Sequence, residues 1–160
     1  MGIDLSVNIA GVEFKNPVIG ASGTFGFGRE FAEYIDLNEI GGISVKGLTL
    51  GPRKGNAPPR IAETPAGILN SVGLQNPRVE VFIKDEIPFL RKFDTKIIAN
   101  IAGNTIEDYC KMAEILSEAD IDAVELNISC PNVKEGCLAF GTSTGGTTLL
   151  TEEVRKNCKK

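Results

Sequence analysis

Short apolar strands alternate with helical stretches along this chain, and that alternation constrains its fold more than any other feature. Apolar runs typical of strands cover residues 17–21, 42–46, 96–100 and 123–127. They recur roughly every 25–50 residues, as parallel strands do when a helix returns the chain to the start of the sheet. The sequence therefore predicts an α/β protein with about four parallel strands.

The segments around these strands complete the prediction. Residues 5–14 alternate apolar and polar side chains around Ala10-Gly11, which predicts a small β-hairpin before the first strand. Residues 49–76 are rich in Gly, Pro, Arg and Asn and are predicted to form a long loop without secondary structure. A loop of this length is usually functional or disordered, and its Arg53, Lys54 and Arg60 are interpreted as solvated. Hydrophobic spacing and capping signals predict helices over 29–35, 79–93, 105–116 and 151–160.

Two nucleotide-binding folds are excluded because the chain lacks their sequence motifs. The glycine-rich loop at 20–28 lacks the spacing of a Rossmann fingerprint, and no acidic residue ends the second strand. Residues 141–148 resemble a P-loop, but Thr147 stands where the lysine is needed, so a flexible loop is predicted there. A hairpin before the first strand instead fits a (β/α)₈ TIM barrel, where it closes the bottom.

Each predicted strand finishes on a polar residue. Ser22 follows the first strand, and Lys46, Asn100 and Asn127 end the other three. The carboxyl ends of parallel strands meet at one edge of the sheet, where α/β proteins bind their ligands. The sequence therefore predicts one ligand site built from these ends.

The segment from Glu125 to Asn132 crowds polar side chains around one thiol. Asn127, Ser129 and Asn132 offer donors and acceptors to a flat polar ligand, and Cys130 offers a thiolate. The alternative interpretation is a capped turn with an inert cysteine. The chain has no histidine, so Ser–His and Cys–His pairs are excluded and any base must be Cys, Lys, Tyr or a carboxylate.

Composition narrows the class of function. A net charge of -4 argues against nucleic acid or an anionic membrane as the main partner. No apolar run is long enough to span a membrane, so a cytoplasmic protein with reduced thiols is predicted. The four cysteines show no CxxC spacing, and no metal site is predicted. Cys110 and Cys158 fall on apolar helix faces and are predicted to lie in the core.

Five blocks of sequence in a fixed order carry a resemblance to a known family. The chain resembles class 1 dihydroorotate dehydrogenase, and within it the NAD-linked class 1B catalytic subunit. Class 2 relatives carry serine where this chain has Cys130. The matching blocks are residues 21–26, 44–47, 70–76, 98–100 and 127–132.

The resemblance implies FMN-dependent oxidation of dihydroorotate to orotate in pyrimidine biosynthesis. It implies that Cys130 is the catalytic base, which suits a carbon acid because free Cys has a pKa of about 8.5. The implied FMN contacts are Ser22, Lys46, Gly47, Asn100 and Asn127. The implied substrate contacts are Lys46, Asn70, Ser71, Val72, Gly73, Leu74, Asn127 and Asn132.

The resemblance also implies partners and a partial domain. Class 1B subunits form homodimers and work with an iron–sulfur FAD subunit that passes electrons to NAD. A TIM barrel needs about 250 residues. Residues 1–160 are therefore interpreted as the N-terminal half of a barrel, truncated, with weak or absent FMN binding and no activity alone.

Two other interpretations stay open. A dihydropyrimidine dehydrogenase-like enzyme shares the fold and the cysteine loop, but a histidine is expected there near the position of Asn132. A non-catalytic half-barrel that only associates, with itself or with a complementary half, belongs to a different class.

Overall fold

An antiparallel hairpin comes first in the computed structural model, which describes residues 3–129 and 140–160. Its strands are β1 (Val7–Ile9) and β2 (Val12–Phe14). Phe14 is buried, and a β-carbon on Gly42 would come within 3.0 Å of its ring. The hairpin thus packs at the amino end of the second sheet strand, as predicted.

Four parallel strands form the central sheet. The remaining strands of the described residues are β3 (Ile19–Gly20), β4 (Gly42–Ser44), β5 (Ile61–Thr64), β6 (Gly67–Asn70), β7 (Lys96–Ile101) and β8 (Ala123–Leu126). The sheet order is β3-β4-β7-β8 with every pair parallel, which confirms the prediction. Among the described strands, β3 and β8 each pair on one side only, so the sheet is open at both edges within this part of the chain.

The described α-helices accompany this sheet, and all but the first contribute buried side chains to the core. They are α1 (Ser22–Phe25), α2 (Val79–Val81), α3 (Ile87–Leu90), α4 (Ile106–Ser117) and α5 (Thr144–Asn157). Ile97 and Ile101 of β7 are completely buried in one cluster with Tyr109, Met112 and Leu116 of α4. Burying such a side chain contributes about 1.5–3 kcal/mol, so this layer stabilises the centre of the sheet.

The start of α4 follows the sequence prediction closely. The Thr105 hydroxyl accepts a hydrogen bond from the Asp108 amide, and the Asp108 carboxylate accepts one from the Thr105 amide, both at 3.2 Å. Cys110 and Cys158 pack against the core but are only half-buried, so the prediction of core positions is partly correct. Burial raises the pKa of the Cys110 thiol.

The long loop between β4 and α2 contains an unpredicted hairpin. Strands β5 and β6 pair antiparallel, from Ile61 opposite Asn70 to Thr64 opposite Gly67. The prediction of a loop without secondary structure is therefore wrong. The turn is made by Pro65 and Ala66, which lack the Asn-Gly or Gly-X signature of tight hairpins.

Two predicted helices are shorter or less regular than expected. The helix predicted over 29–35 is a single 3₁₀ turn, Phe31–Glu33. The helix predicted over 79–93 is divided by a π-helical segment, Phe82–Glu86, between α2 and α3. Pro88 lies in the first turn of α3, and a proline lacks the amide that a continuous α-helix needs.

Helix α5 begins seven residues before the predicted start, at Thr144 rather than Thr151. The prediction of a flexible loop over 141–148 is therefore wrong for residues 144–148. The Ser143 hydroxyl caps the helix by accepting from the Gly146 amide at 3.0 Å. Burial of Leu150 and Val154 stabilises a helix whose first turns have low intrinsic propensity.

An ion-pair cluster joins α3 to the amino ends of the sheet strands. Asp122 lies 2.8 Å from Arg91 and 3.4 Å from Lys96, and it accepts a hydrogen bond from the Ile97 amide at 2.9 Å. Burial alone raises the pKa of Asp122. The Ile97 amide and the two cations outweigh burial, so the pKa lies below its ordinary value.

Candidate functional site

One cavity of about 220 Å³ lies at the carboxyl ends of the sheet strands. Ser22 follows β3, Lys46 and Gly47 follow β4, and Asn127 follows β8. Apart from Gly23, every lining residue is a predicted site residue. The lining consists of Ser22, Gly23, Lys46, Gly47, Asn70, Val72, Gly73, Leu74 and Asn127.

The other predicted site residues have different positions. Asn100 does not line the cavity but is hydrogen-bonded to Asn127, which does. Ser71 lies in the lining loop without contributing to the wall. Cys130 and Asn132 fall outside the described residues. The structure therefore brings the strand ends and the 70–74 loop together around one cavity, and the roles assigned to these residues stay predictions.

A larger cavity at the other end of the sheet is a weaker candidate. It measures about 360 Å³ and is lined by Lys15, Arg91, Asp94 and Lys96, among others. Lys15 pairs with Asp94 at 2.6 Å, and Arg91 pairs with Asp122. Its charges are thus largely neutralised by one another, and α/β proteins bind ligands at the opposite end.

Lys46 is the cation of the candidate site. Its residue is half-buried, and its backbone amide donates to the Gly26 carbonyl at 2.8 Å, which fixes the chain just after β4. Within residues 3–129 and 140–160, the Lys46 ammonium makes no ion pair. A half-buried cation that lines a cavity in this way suits a ligand with negative charge.

Two asparagines and a glutamate form a hydrogen-bonded row across β7 and β8. Asn127 Nδ2 donates to Asn100 Oδ1 at 3.2 Å, and Asn100 Nδ2 donates to a carboxylate oxygen of Glu125. Asn100 is almost completely buried, with 2% of its surface exposed. Asn127 is also held through its backbone, because its carbonyl accepts from the buried Tyr109 hydroxyl at 2.6 Å.

Gly47 lies against the contact between the two asparagines. A β-carbon there would come within 3.1 Å of Asn100 Oδ1 and Leu74 Cδ1, and within 3.5 Å of Asn127 Nδ2. These distances are at or inside ordinary van der Waals contact. A side chain at position 47 would therefore crowd the amides, and glycine keeps the wall of the cavity flat.

The 70–74 loop is shaped by Asn56. Its side-chain amide donates to the Ser71 carbonyl at 2.7 Å, and its backbone amide donates to the Val72 carbonyl at 3.0 Å. A β-carbon on Gly73 would come within 2.9 Å of the Asn56 amide, and Gly73 has a φ of 78°. The loop follows Asn56 closely at a position that requires glycine.

Sequence reasoning missed three residues that support this site: Glu125, Tyr109 and Asn56. Glu125 had a detectable signal, because it precedes Asn127 by two residues in a strand and so lies on the same face. Asn56 lies in a stretch read as solvated loop, and Tyr109 fits an ordinary buried helix stripe. Their contacts depend on tertiary packing.

The strand order and the position of the cavity define the class of protein. This is part of a TIM-barrel fold with a cavity at the carboxyl ends of its strands. A crystal structure of DHODH in complex with ferulenol from Eimeria tenella superposes with a TM-score of 0.74. The match covers 96% of this chain and 44% of that chain at 22% sequence identity, and it supports the fold alone.

A family model for dihydroorotate dehydrogenase matches residues 4–160, and the chain belongs to this family. It is similar to proteins named dihydroorotate dehydrogenase B (NAD(+)), catalytic subunit. Identity is 60% to that of Alkaliphilus metalliredigens (strain QYMF), over 99% of this chain and 51% of that protein. Identity to the protein of the same name from Petrotoga mobilis (strain DSM 10674 / SJ95) is 59%, over 99% of this chain and 53% of that protein.

These matches confirm the resemblance drawn from the sequence blocks, including its class 1B character. The chain spans about half the length of the curated relatives it matches. Among the helices of residues 3–129 and 140–160, none has both the length and the hydropathy that a membrane crossing requires.

Proposed function

We propose that this chain contributes flavin and substrate contacts to a dihydroorotate dehydrogenase site that oxidises dihydroorotate to orotate. One observation carries the proposal. The strand-end residues Ser22, Lys46 and Asn127 and the 70–74 loop surround a single cavity, in a chain of this family. The complete activity is that of the relatives' whole fold, which is about twice as long as this chain.

The residues present fit FMN. The flat wall at Gly47, where a side chain would crowd the neighbouring amides, suits the face of a planar ring. We propose that Ser22, Lys46, Gly47, Asn100 and Asn127 hold it. When bound, FMN accepts the hydride that leaves C6 of dihydroorotate.

The chain's own residues have separate roles in this proposal. The Lys46 ammonium stabilises negative charge on the ligand, either on the flavin ring or on the substrate carboxylate. Asn127 and Asn70 offer paired donors and acceptors to the pyrimidine ring. Leu74 is 8% exposed and lines the same cavity, so it presents an apolar surface that excludes water from this side.

The proposed base is Cys130, on the resemblance alone. It takes the proton from C5 of dihydroorotate as the hydride leaves C6. A thiol with an ordinary pKa of about 8.5 is ionised more easily than the hydroxyl of a serine, and a nearby cation lowers that pKa further. The resemblance also assigns Asn132 to the substrate.

Partners and location are part of the same proposal. The relatives are named catalytic subunits, which agrees with a second subunit that carries electrons onward. We propose an iron–sulfur FAD protein in that role, a homodimer of catalytic subunits, and a cytoplasmic location. A second candidate function is a non-catalytic half-barrel that only associates. It is favoured by β3 and β8, which each pair on one side only among the described strands, and the mass of the particle in solution tests it.

A flavin titration with one matched pair of variants tests the proposed function. FMN is added to the purified chain, and quenching of flavin fluorescence is followed to saturation. Because about half of a barrel is expected to hold FMN weakly at best, we expect weak but saturable binding that Lys46→Gln abolishes. Lys111→Gln changes an exposed lysine on α4 and should leave this binding unchanged. Bleaching of the bound flavin by dihydroorotate then tests the reaction. A wild-type chain without saturable flavin binding contradicts the proposal.

A further inference from the structure

We propose that Glu125 is a positioning residue that fixes the amide orientation of Asn100, and through it that of Asn127. The inference rests on the proposed function for its meaning, because Asn127 lines the cavity assigned to the flavin and the substrate. The orientation of the two amides can be tested without any ligand. The question is whether the oxygen or the nitrogen of each side-chain amide faces its neighbour.

Strand geometry brings the three side chains together. Asn100 of β7 and Glu125 of β8 are direct partners in the parallel register. Asn127 follows Glu125 by two residues, so both lie on the same side of the chain, and Asn127 reaches Asn100 from one step further along. Glu125 is exposed, whereas Asn100 is 2% exposed, so the row runs from a buried amide to an accessible carboxylate.

The direction of each hydrogen bond follows from the carboxylate. An amide presents an oxygen and a nitrogen of nearly equal shape, so a pair of asparagines alone has two hydrogen-bonded arrangements. A carboxylate only accepts. It therefore requires the Asn100 nitrogen on its side, which turns the Asn100 oxygen towards the Asn127 nitrogen. Turning Asn100 over would place two oxygens against each other.

The hydrogen bond at the Asn127 end of the row has the direction that this order requires, but it is weak. Asn127 Oδ1 accepts from the Ser129 amide at 3.4 Å, near the upper limit for a hydrogen bond. The contact between Asn100 and Glu125 is charge-assisted, and such bonds are about twice as strong as neutral ones. Glu125 is thus the dominant group that selects one arrangement, and a ligand at Asn127 finds a fixed order of donor and acceptor.

Side-chain amide NMR tests this without any cofactor. The NH₂ signals of Asn100 and Asn127 are assigned in the wild-type chain by single Asn→Asp variants. In Glu125→Ala we expect both pairs of signals to move by more than their line width, while the backbone spectrum keeps its dispersion. Glu114→Ala removes the same charge from an exposed position on α4 and should move neither.

Glu125→Gln separates orientation from packing. Glutamine keeps the shape of the side chain but both donates and accepts, so it no longer selects one arrangement. We expect Asn127 to respond in this variant as it does in Glu125→Ala. The inference is overturned if the Asn127 signals stay at their wild-type positions in Glu125→Ala, or if Glu125→Gln restores them completely.

The same chain then reports on the proposed function separately. If the two arrangements become equally populated, only half of the molecules present the required order of atoms, and apparent flavin affinity falls about twofold. One outcome is a wild-type chain that binds no flavin, while the Asn100 and Asn127 amide signals still shift in the Glu125 variants. That result would refute FMN binding at this site and would support the positioning role of Glu125. The opposite outcome is a wild-type chain that binds flavin, with amide signals that do not shift in the Glu125 variants. That result would refute only the positioning role of Glu125.

Discussion

Replacing Tyr109 with phenylalanine removes the hydroxyl that holds the backbone of Asn127. The Tyr109 hydroxyl donates to the Asn127 carbonyl at 2.6 Å, and the tyrosine is completely buried. Phenylalanine keeps the ring, including its edge-to-face contact with Phe140 at 6.1 Å between centroids. No cavity larger than one oxygen atom is created, so the effect measures the loss of the hydroxyl and its bond to Asn127.

The expected loss follows from the geometry. A buried acceptor left without its partner costs about 1–3 kcal/mol. Asn127 is only half-buried, so its carbonyl can gain some water, and we expect about 1.5 kcal/mol, in the lower part of that range. For a chain of this size, 1 kcal/mol corresponds to a shift in Tm of about 2–4 °C, which gives a decrease of roughly 3–6 °C.

Thermal and urea unfolding followed by circular dichroism measure this change. Tyr34→Phe is the matched control, because Tyr34 is 82% exposed and its hydroxyl makes no hydrogen bond within the described parts of the chain. We expect the urea midpoint to fall for Tyr109→Phe with an unchanged m value. A Tyr109→Phe protein as stable as the Tyr34→Phe protein would refute the anchoring of Asn127 by this hydroxyl.

Three further substitutions test the site and its scaffold. Gly47→Ala should lower stability by about 1 kcal/mol through overpacking and abolish flavin binding in a fluorescence titration. Gly51→Ala, where nothing lies within 4 Å of the new β-carbon, should do neither, and equal behaviour of the two would contradict the flat wall. Asp122→Asn should cost about 1–3 kcal/mol at pH 7 in urea unfolding, because the bond to Arg91 loses its charge. The folded-state pKa of Asp122 is lowered, so its contribution is present above the ordinary pKa of 3.8 and is lost as the pH falls through the folded value. The variant should therefore approach the wild type in stability in that acidic range, and a constant difference down to low pH would contradict this. Ser44→Ala should leave the urea midpoint unchanged or raise stability by up to about 1 kcal/mol, since its buried Oγ has no hydrogen-bond partner among the described residues. A clear loss would show that the hydroxyl is satisfied.

The arrangement of the sheet and the site could be predicted because both depend on local patterns. The apolar runs predicted the positions of β4, β7 and β8 to within a few residues. The capping box at Thr105 predicted the start of α4. Lys46 and Asn127 were expected to meet because parallel strands bring their carboxyl ends to one edge. The structure gathers them around one cavity, and their chemical roles remain predictions.

The elements that could not be predicted depend on packing rather than on local preference. Helix α5 starts among glycines and threonines and is held by the burial of Leu150. The β5–β6 hairpin turns at Pro65 and Ala66, which carry no turn signature. The contact between Glu125 and Asn100 requires the register of two strands that are separated by a whole helix.

The strand order also implies a gradient of local opening across the candidate site. Strand β7 has neighbours on both sides, whereas β3 is a two-residue strand at the edge. Backbone amides exchange with solvent through local openings, and central strands open least. Asn100 therefore stands on the slowly exchanging part of the sheet, and Ser22 stands beside the part that exchanges fastest. A ligand that bridges them stabilises the closed form, so its binding should appear first as slowed deuterium uptake around Gly20.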